Sequence, residues 1–453
     1  MDEAQAWLLA KDSSVIDLFV KYLRYEGSPG LWHLILMLPA KLGLSYFTIN
    51  IFSAVFSALG VWLFLRYSPF PPVIKILFPF SYFVFFQYGV VARSYCLIPP
   101  LLFLIAIKYK TKIKHPYQYI LLLCLLANVS THTFLIAAAI LFVHLLDVGK
   151  MWNQLDKQSK INQALAVSIF GLMAGLLVLV LLPPSDHFVV GHTNWNLGNF
   201  IEIGKVMISG ALVSDESSKV FWLQKVMSLA IFGVSLLWLR QKKLTFLYLL
   251  PLFLILCLFA VKYWNFWHQG ILFFLWVFVL WVSFDKDRNK ELSKMGKTLL
   301  LLVSIVLAVQ VYWSTYAVRF DFYNNYSGSY KISEYIKANQ LENKKIFVSG
   351  WRSIAILPYF NENIFANHNN GSKPRFWVWS ATQNQTAIGY NPAVANTIER
   401  EQPDIVIFAS DHIDPKVTIH IEGYNFGKAF EGYLCWKTGI YEPDFYWIFR
   451  KQE

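Results

Sequence analysis

The chain has 453 residues, of which 56% are hydrophobic and 15% charged, and its mean hydropathy is +0.42. These values exclude an ordinary soluble globular protein, because long apolar runs such as ILLLCLLANVSTHTFLIAAAILFVHLL place most of the chain in a bilayer. The formal net charge of +12 comes from basic residues in short loops between apolar runs, so it indicates membrane orientation and not nucleic-acid binding.

The chain begins with the polar segment MDEAQAWLLAKDSS, which carries adjacent carboxylates at Asp2 and Glu3. A carboxylate beside the outer leaflet could act as a general base toward an acceptor hydroxyl or amine. The alternative is a solvated helix start, because acidic residues favour the first turn of a helix. The pair alone does not decide between these two interpretations.

The next feature is the turn LRYEGSPGLWH, in which Arg24 and Glu26 lie close to Gly27 and Pro29. A tight polar turn that contains an arginine could bind a phosphate at the membrane interface, although a solvated loop is an equal alternative. The segment 31–43 that follows is apolar but too short to span a bilayer easily. We predict that it is a helix lying in the outer interface.

We predict ten membrane spans, several of them shorter than the roughly 20 residues of a full crossing. The predicted spans are residues 47–65, 72–88, 93–108, 116–129, 132–147, 163–182, 220–239, 244–262, 268–284 and 298–315.

The division of the run 116–147 at NVSTH is supported by the distribution of positive charge. With this division, the basic segments KYKTKIK and KMWNQLDKQSK lie on the same side as most other loop lysines and arginines, and that side is cytoplasmic by the positive-inside rule. Without it, the two segments would face opposite sides. Residues 2–46, the long loop 183–219 and everything after about 316 are then extracytoplasmic.

No predicted span precedes residues 2–46, although this topology places them outside. We therefore expect a further helix upstream of this chain. Translocation of a short amphipathic terminus without its own anchor is the alternative.

Ionisable groups near the membrane are costly, so each one calls for a reason. Arg93 lies between two spans and is flanked by Tyr88 and Tyr95, where it could bind a phosphate or extend to the lipid head-groups. His132 and His268 also fall at outer ends of spans, where a lone histidine is more often a packing residue. Convergence at one outer interface favours a site there, because a transporter would concentrate such groups at mid-bilayer.

The loop LLPPSDHFVVGHTNWN contributes Asp186, His187 and His192. Its H-x-x-x-x-H spacing lacks the helical register of a zinc site, so a loop that covers substrate is the preferred interpretation. No cysteine cluster, P-loop, G-x-S-x-G or dinucleotide motif is present in the sequence. These absences argue against direct ATP or nicotinamide chemistry, so no cofactor is assigned, and a divalent metal stays possible.

The C-terminal segment changes character. The stretches KKIFVSG, PDIVIFASD, FWVWS and FYWIFRK are predicted to be strands, and SEYIKAN is predicted to be a helix. We therefore divide the chain into a first extracytoplasmic loop with interfacial helices at 1–46, a transmembrane domain at 47–316 and an extracytoplasmic α/β domain at 317–453.

An acidic pair that opens the first outer loop, an E-G-x-P turn before an interfacial helix, many short spans and an outer soluble domain together resemble the GT-C class of polytopic membrane glycosyltransferases. This class includes protein O-mannosyltransferases and lipid A aminoarabinose transferases. The segments DEAQAWLLAKDS, LRYEGSPGLWHLIL, VVARSY, THTFLIAAAIL and WHQGILFFL are similar to an uncharacterised bacterial branch of the class.

The resemblance implies a polyprenyl-phosphate-linked sugar donor, an extracytoplasmic acceptor and location in a bacterial inner membrane. It implies Asp2 as catalytic base with Glu3 in support, and Arg93 and Arg24 at the donor phosphate. The further substrate-binding candidates are Glu26, His132, His268, Asp186 and His187. Ser28 stands where the branch has a histidine in E-G-H-P, so a donor or metal role of that histidine does not transfer.

The sequence therefore predicts an α-helical, GT-C-like membrane glycosyltransferase whose lipid-phosphate donor, bilayer and acceptor are its partners. Arg93 would stabilise the departing phosphate, and Asp2 would deprotonate the acceptor. The alternative is a non-catalytic membrane transporter or an envelope-assembly scaffold. An enzyme predicts that Asp2 and Arg93 line one cavity, whereas a scaffold predicts that they lie far apart.

Overall fold

The computed structural model describes residues 1–188, 196–288, 291–384, 393–411 and 420–452. The chain divides into two compact units. The first unit contains Met1–Ile49, Pro183–Val190 and Ala317–Glu453. The second unit contains Asn50–Leu182 and Gly191–Tyr316.

Most of the described chain is helical, as the long apolar runs predict. Seven helices in its described part are long and apolar enough to cross a membrane. They are Thr48–Tyr67, Pro72–Val90, Thr131–Gln154, Lys157–Leu181, Phe221–Gln241, Phe266–Asp285 and Lys294–Ala338. The prediction of a polytopic helical protein with a small C-terminal sheet is confirmed at this level.

Three of the ten predicted spans coincide with shorter helices, so the count of ten stays a prediction. Ile98–Lys108 has 11 residues, Pro116–Ala127 has 12 and Thr245–Val261 has 17. A helix rises about 1.5 Å per residue, so the first two cover only about half of a typical hydrocarbon core.

The predicted helix break at NVSTH is confirmed. One helix ends at Ala127 and the next begins at Thr131. Ser130 caps the second helix, because its Oγ accepts a hydrogen bond from the backbone N–H of Thr133 while the Thr133 side chain accepts one from the backbone N–H of Ser130. Such a reciprocal cap satisfies amide donors that would otherwise be unpaired.

The prediction of a continuous loop over 183–219 is wrong, because Leu197–Leu212 is a helix within the second unit. Asn196 begins it by accepting a hydrogen bond from the N–H of Gly198. The helix packs closely at Gly210, where an added Cβ would lie 2.2 Å from the Gln269 side chain. Glu202 and Lys205 interrupt its apolar pattern, so the sequence offered no run of span length.

The sheet of the first unit has the strand order β1-β2-β4-β3, with β1 at Ile346–Ser349, β2 at Ile405–Ser410, β3 at Tyr424–Trp436 and β4 at Ile440–Lys451. β1 and β2 are parallel, and β4 pairs antiparallel with both β2 and β3. The helix Gly328–Ala338 packs against β3 and β4. Three of the four predicted strands and the predicted helix SEYIKAN are therefore present.

Two local predictions for the C-terminal segment are wrong. FWVWS is not a strand; a single bridge joins its last residue, Ser380, to His187. Its backbone is instead bound by side chains and by the segment 186–188, as described below. Strand β3 was missed, because its glycines and charged residues obscure the alternating pattern. Gly432 is required there, since a Cβ would lie 2.4 Å from the Ser327 Cα.

The helix Asp2–Asp12 is a core element of the first unit. All its residues from Ala4 to Ala10 are buried, and Trp7 has no exposed surface. It packs against the helix Leu31–Lys41 and the 3-10 helix Trp351–Tyr359. The first segment of the chain is thus packed against the C-terminal segment in one hydrophobic core.

Candidate functional site

The predicted site residues lie in or beside two clusters, one in each unit. The carboxylate cluster of the first unit consists of Asp2, Glu3, Gln5 and Glu26 with the neighbouring Trp379. The histidine cluster of the second unit consists of Arg93, His132 and His268.

The turn after Glu26 holds that residue in place. The short helix Leu23–Glu26 ends at Gly27, which has φ +59° in the left-handed region that favours glycine. Three residues later, a Cβ at Gly30 would lie 2.5 Å from the Phe19 ring. Both glycines of the E-G-S-P-G sequence are therefore needed for the turn that presents Glu26.

The carboxyl of Glu26 is partly buried and bound by neutral donors. The Gln5 side-chain amide donates a hydrogen bond to Glu26 Oε1 at 2.8 Å, and the Trp379 side chain also hydrogen-bonds to the carboxyl. Burial raises the pKa of Glu26 to about 7, with a further upward contribution from the nearby charge of Asp2 and opposing contributions from the Gln5 and Trp379 hydrogen bonds. Near neutral pH this carboxyl can therefore either hold or release a proton.

The two carboxylates of the opening pair have different environments. Asp2 is exposed, whereas Glu3 is partly buried and accepts a hydrogen bond from the Tyr326 hydroxyl at 3.1 Å. The pair Asp2 and Glu26 thus places an accessible carboxylate beside a carboxyl whose pKa is raised to about 7. Such a separation of environments is how neighbouring carboxylates take different acid–base roles.

Gln5 is a site residue that the sequence analysis missed. Besides contacting Glu26, its Nε2 donates to the carbonyl of Trp377 at 2.6 Å and its Oε1 accepts from the Trp377 N–H at 3.0 Å. One side chain therefore fixes the backbone of FWVWS and the Glu26 carboxyl together. A polar residue among the buried positions of an apolar helix was the available signal, but its partners lie 21 and 372 residues away in the chain.

Asp186 and His187 lie next to the same turn through Tyr25. The Tyr25 hydroxyl donates to Asp186 Oδ1 at 2.9 Å, and the ring nitrogen Nε2 of His187 is 2.9 Å from the Tyr25 carbonyl. The backbone of this segment pairs with the tryptophan segment, since the Phe188 N–H donates to the Trp379 carbonyl at 2.8 Å. His192 lies outside the described residues.

Three tryptophans of the C-terminal segment form a cluster that reaches Glu26 through Trp379. The ring centroids of Trp351 and Trp379 are 5.3 Å apart, and those of Trp377 and Trp379 are 6.4 Å apart. Trp377 is buried, whereas Trp351 and Trp379 are partly exposed. Partly exposed indole faces beside hydrogen-bonding side chains suit a ligand that has both apolar faces and hydroxyl groups.

Arg24 occupies the same short helix as Glu26 and is partly buried. Its charge acts on the neighbouring Tyr25 hydroxyl, whose pKa is raised chiefly by burial and by the hydrogen bond to Asp186, with Arg24 opposing that rise. Its assignment to the donor phosphate stays a prediction.

The histidine cluster brings together the three predicted residues of the second unit. The rings of His132 and His268 have centroids 4.4 Å apart, and both side chains are buried. The Arg93 guanidinium lies over the Trp267 ring at 4.9 Å and within electrostatic range of His268. The Trp267 carbonyl is itself held by the hydroxyl of Tyr88 at 3.2 Å.

His268 adopts a defined tautomer. It lies in the 3-10 turn Phe266–His268, where its Nδ1 accepts a hydrogen bond from the Asn265 N–H at 3.1 Å. A nitrogen that accepts from an N–H cannot itself carry a hydrogen, so the imidazole is neutral and its proton is on Nε2. Neither His268 Nε2 nor His132 Nδ1 has a hydrogen-bond partner among the described residues, although both atoms are buried.

In the part of the chain that the structure describes, no group of three or more histidine, cysteine, aspartate or glutamate side chains could hold a metal ion. No protein-family model, curated protein or solved structure matches the chain.

Proposed function

We propose that this protein is a membrane glycosyltransferase that moves a sugar from a polyprenyl-phosphate-linked donor to an extracytoplasmic acceptor. The observation that carries the proposal is the pairing of the exposed Asp2 with Glu26, whose pKa is raised to about 7 by burial and by the Asp2 charge. This pairing provides a carboxylate that can accept a proton from an acceptor beside a second carboxyl that retains its own.

In the proposed reaction the acceptor oxygen forms a bond to the anomeric carbon of the sugar as the bond to the phosphate oxygen breaks. Asp2 takes the acceptor proton, and the leaving polyprenyl phosphate departs as an anion. Positive charge develops on the sugar ring and negative charge on the phosphate in the transition state. Glu26 donates a hydrogen bond to a sugar or acceptor hydroxyl, and the assignment of Arg93 to the donor phosphate stays a prediction.

The tryptophans beside Glu26 support a carbohydrate substrate. The C–H faces of a pyranose ring pack well on indole rings, and its hydroxyls pair with carboxyl and amide groups. Trp351 and Trp379 supply partly exposed rings, and Glu26, held in place by the buried Gln5, supplies the polar group. We assign Trp351, Trp379 and Glu26 to sugar binding.

The composition of the first unit supports the proposed sidedness. Residues of the predicted outer segments 2–46 and 317–453 contact the segment 183–190. The Tyr25–Asp186 and Phe188–Trp379 hydrogen bonds are examples. Segments that share one folded unit lie on the same side of a membrane, which requires an even number of crossings between Ile49 and Pro183. The six predicted spans meet this condition, whereas an undivided 116–147 would give five.

The exposed apolar face of the helix Leu31–Lys41 supports a position at the membrane interface. Leu34 and Leu38 are one helical turn apart and are 38% and 66% exposed, and Leu42 just beyond the helix is 69% exposed. An apolar stripe on a helix too short to span a bilayer is typical of an interfacial element. We propose that this stripe contacts the outer leaflet of a bacterial inner membrane.

A turnover assay tests the proposal. The full chain in lipid nanodiscs is incubated with polyprenyl-phosphate sugars, and release of polyprenyl phosphate and transfer to membrane glycolipid acceptors are measured. Asp2→Asn should reduce turnover by about 10²–10⁴-fold, the typical contribution of a general base. Glu342→Gln, which changes an exposed carboxylate of the same unit, serves as the matched control and should leave turnover unchanged.

Loss of turnover in Asp2→Asn with intact donor binding would support separate base and donor sites. Full activity of the Asp2→Asn variant and of an Asp2→Asn/Glu3→Gln double variant would overturn the assignment of the base. If no donor in a panel of lipid-linked sugars is bound or consumed by the wild type, a transporter or an assembly scaffold becomes the better interpretation.

A further inference from the structure

The histidine cluster contains a buried hydrogen-bond donor with no acceptor among the described residues. The Asn265 N–H donates to His268 Nδ1, so the proton of the neutral ring is on Nε2. His268 is 0% exposed, and no described atom accepts a hydrogen bond from Nε2. Leaving such a buried donor unsatisfied is costly, so we expect the Nε2–H group to donate to a bound partner.

The surroundings of His268 indicate what that partner is. The aromatic rings of Phe259, Tyr263 and Tyr95 lie around the imidazole, with centroids 5.3 to 6.2 Å away. The charged neighbour is Arg93, whose guanidinium is held over Trp267. A cation beside an N–H donor, in a buried and largely aromatic setting, favours an anionic oxygen acceptor.

The other histidine of the pair does not change this conclusion. His132 Nδ1 is also buried without a described partner, and the two rings are in contact. A divalent metal between the rings is disfavoured, because a nitrogen that carries a proton cannot coordinate a metal. The position of the proton on His268 Nε2 follows from the Asn265 hydrogen bond and therefore argues for a donor role.

We infer that His268 and Arg93 form a phosphate subsite in which a neutral imidazole donates one hydrogen bond from Nε2 to a phosphate oxygen. The identity of the phosphate as that of a polyprenyl chain rests on the proposed function. The geometry of the subsite does not depend on that proposal. His268 acts here by binding and not as an acid or base, because its ring exchanges no proton with the anion.

Binding isotherms test the inference on the full chain in nanodiscs, with polyprenyl monophosphate as ligand and polyprenol as the phosphate-free comparison. His268→Leu and Arg93→Ala should each weaken binding of the phosphate lipid by about tenfold to a hundredfold, the effect of losing a hydrogen bond to a charged group. His268→Gln places an N–H near the position of Nε2 and should retain binding within about threefold. His115→Ala changes an exposed histidine of the same unit and is the matched control.

Two further measurements separate this role from a purely structural one. Affinity of the wild type should be constant from pH 6 to 8 apart from the ionisation of the phosphate itself, because a neutral donor is proposed. Inorganic phosphate in competition distinguishes the sources: displacement of the lipid means that the anion alone is recognised, and no displacement means that the lipid-linked head-group is required. Both results support a phosphate subsite.

Equal binding by His268→Leu and wild type, or tight binding of polyprenol, would overturn the inference. Loss of binding on chelation, together with lower metal content in His268→Leu, would assign the pair to a metal and overturn it as well. If the variants show the expected binding pattern but no sugar is transferred, the subsite stands and the proposed function fails. If His268→Leu transfers sugar with an unaltered KM, the proposed function stands and the phosphate subsite fails.

Discussion

At the residue scale, Glu26 lies in a polar stretch of sequence that is typical of an exposed turn, but the fold partly buries its carboxyl. In the sequence it is one charged residue in a polar turn next to Arg24. In the fold it is bound by Gln5 and Trp379 and feels the charge of Asp2. The resulting pKa of about 7 lies above the usual range of a glutamate, and burial is the largest cause.

The raised pKa predicts a specific pH dependence of stability. Below about pH 4.5 Glu26 is protonated in both the folded and the unfolded chain. Between there and pH 7 the unfolded chain releases this proton while the folded protein keeps it, so the folded state loses relative stability as the pH rises. Glu26→Gln should therefore gain melting temperature relative to wild type from pH 5 to 7, with the difference constant above pH 8.

Thermal unfolding in nanodiscs across pH 5 to 9 measures this difference. Glu342→Gln, on an exposed carboxylate, should show a difference that does not vary with pH. A melting-temperature difference for Glu26→Gln that is flat, or that falls with rising pH, would contradict the raised pKa of Glu26.

At the scale of elements, the start of the helix Gln269–Asp285 determines where His268 lies. Gly270 faces the Tyr88 ring so closely that a Cβ would lie 2.7 Å from its hydroxyl oxygen. Tyr88 in turn stacks with Tyr95 at 5.4 Å and donates to the Trp267 carbonyl. The contact between this helix and Tyr88 thus connects the helix start to the turn that presents His268.

Gly270→Ala should destabilise the protein by about 1–3 kcal/mol, because the added methyl group would overlap the buried Tyr88 ring. It should also weaken binding of polyprenyl phosphate. Gly233→Ala is the matched control, since nothing lies within 4 Å of its added Cβ and alanine favours a helix. Chemical unfolding and binding isotherms check both variants; equal stability of the two would contradict the tight approach at Gly270.

At the scale of the whole molecule, one buried ion pair connects the two ends of the first unit. Asp12 and Arg375 are 363 residues apart in the chain, and both side chains have no exposed surface. Asp12 accepts hydrogen bonds from the backbone N, Nε and Nη2 of Arg375, and Arg375 Nη1 donates to the carbonyls of Phe360 and Asn361. Every side-chain nitrogen and oxygen of this ion pair therefore makes at least one hydrogen bond.

Asp12→Ala should cost about 3–5 kcal/mol of stability, because it leaves a buried guanidinium without its counter-charge. The control Glu334→Ala breaks the exposed Lys337–Glu334 pair of the same unit and should cost about 0–1 kcal/mol. The double variant Asp12→Ala/Arg375→Met removes both charges and should recover much of the loss. Similar melting temperatures for Asp12→Ala and Glu334→Ala would contradict this role.

The proposed topology makes a prediction at the same scale. Cysteine introduced at the exposed Glu342 should react with a membrane-impermeant maleimide in intact spheroplasts, because the C-terminal segment is predicted to be extracytoplasmic. Cysteine at the exposed Lys157 should react only after the membrane is opened. Labelling of Lys157→Cys but not Glu342→Cys in intact spheroplasts would invert the topology.

The sequence by itself determined the elements whose formation depends on local pattern. Long apolar runs produced the helices, the Ser130 cap and NVSTH produced the break before Thr131, and short β-branched runs produced β1 and β2. Such features follow from hydrophobic periodicity and from backbone hydrogen bonds between near neighbours in the chain. The helix Leu197–Leu212 and strand β3 lacked a clear pattern and were missed for that reason.

Only the tertiary structure decided which polar residues meet. The sequence marked Asp2, Glu26, Arg93 and His268 one by one, but it contained no sign that Gln5 bonds both Glu26 and Trp377, or that His132 packs against His268. Hydrogen bonds and ion pairs between residues hundreds of positions apart depend on how the chain folds back on itself. Their partners are set by packing in three dimensions, which no local pattern encodes.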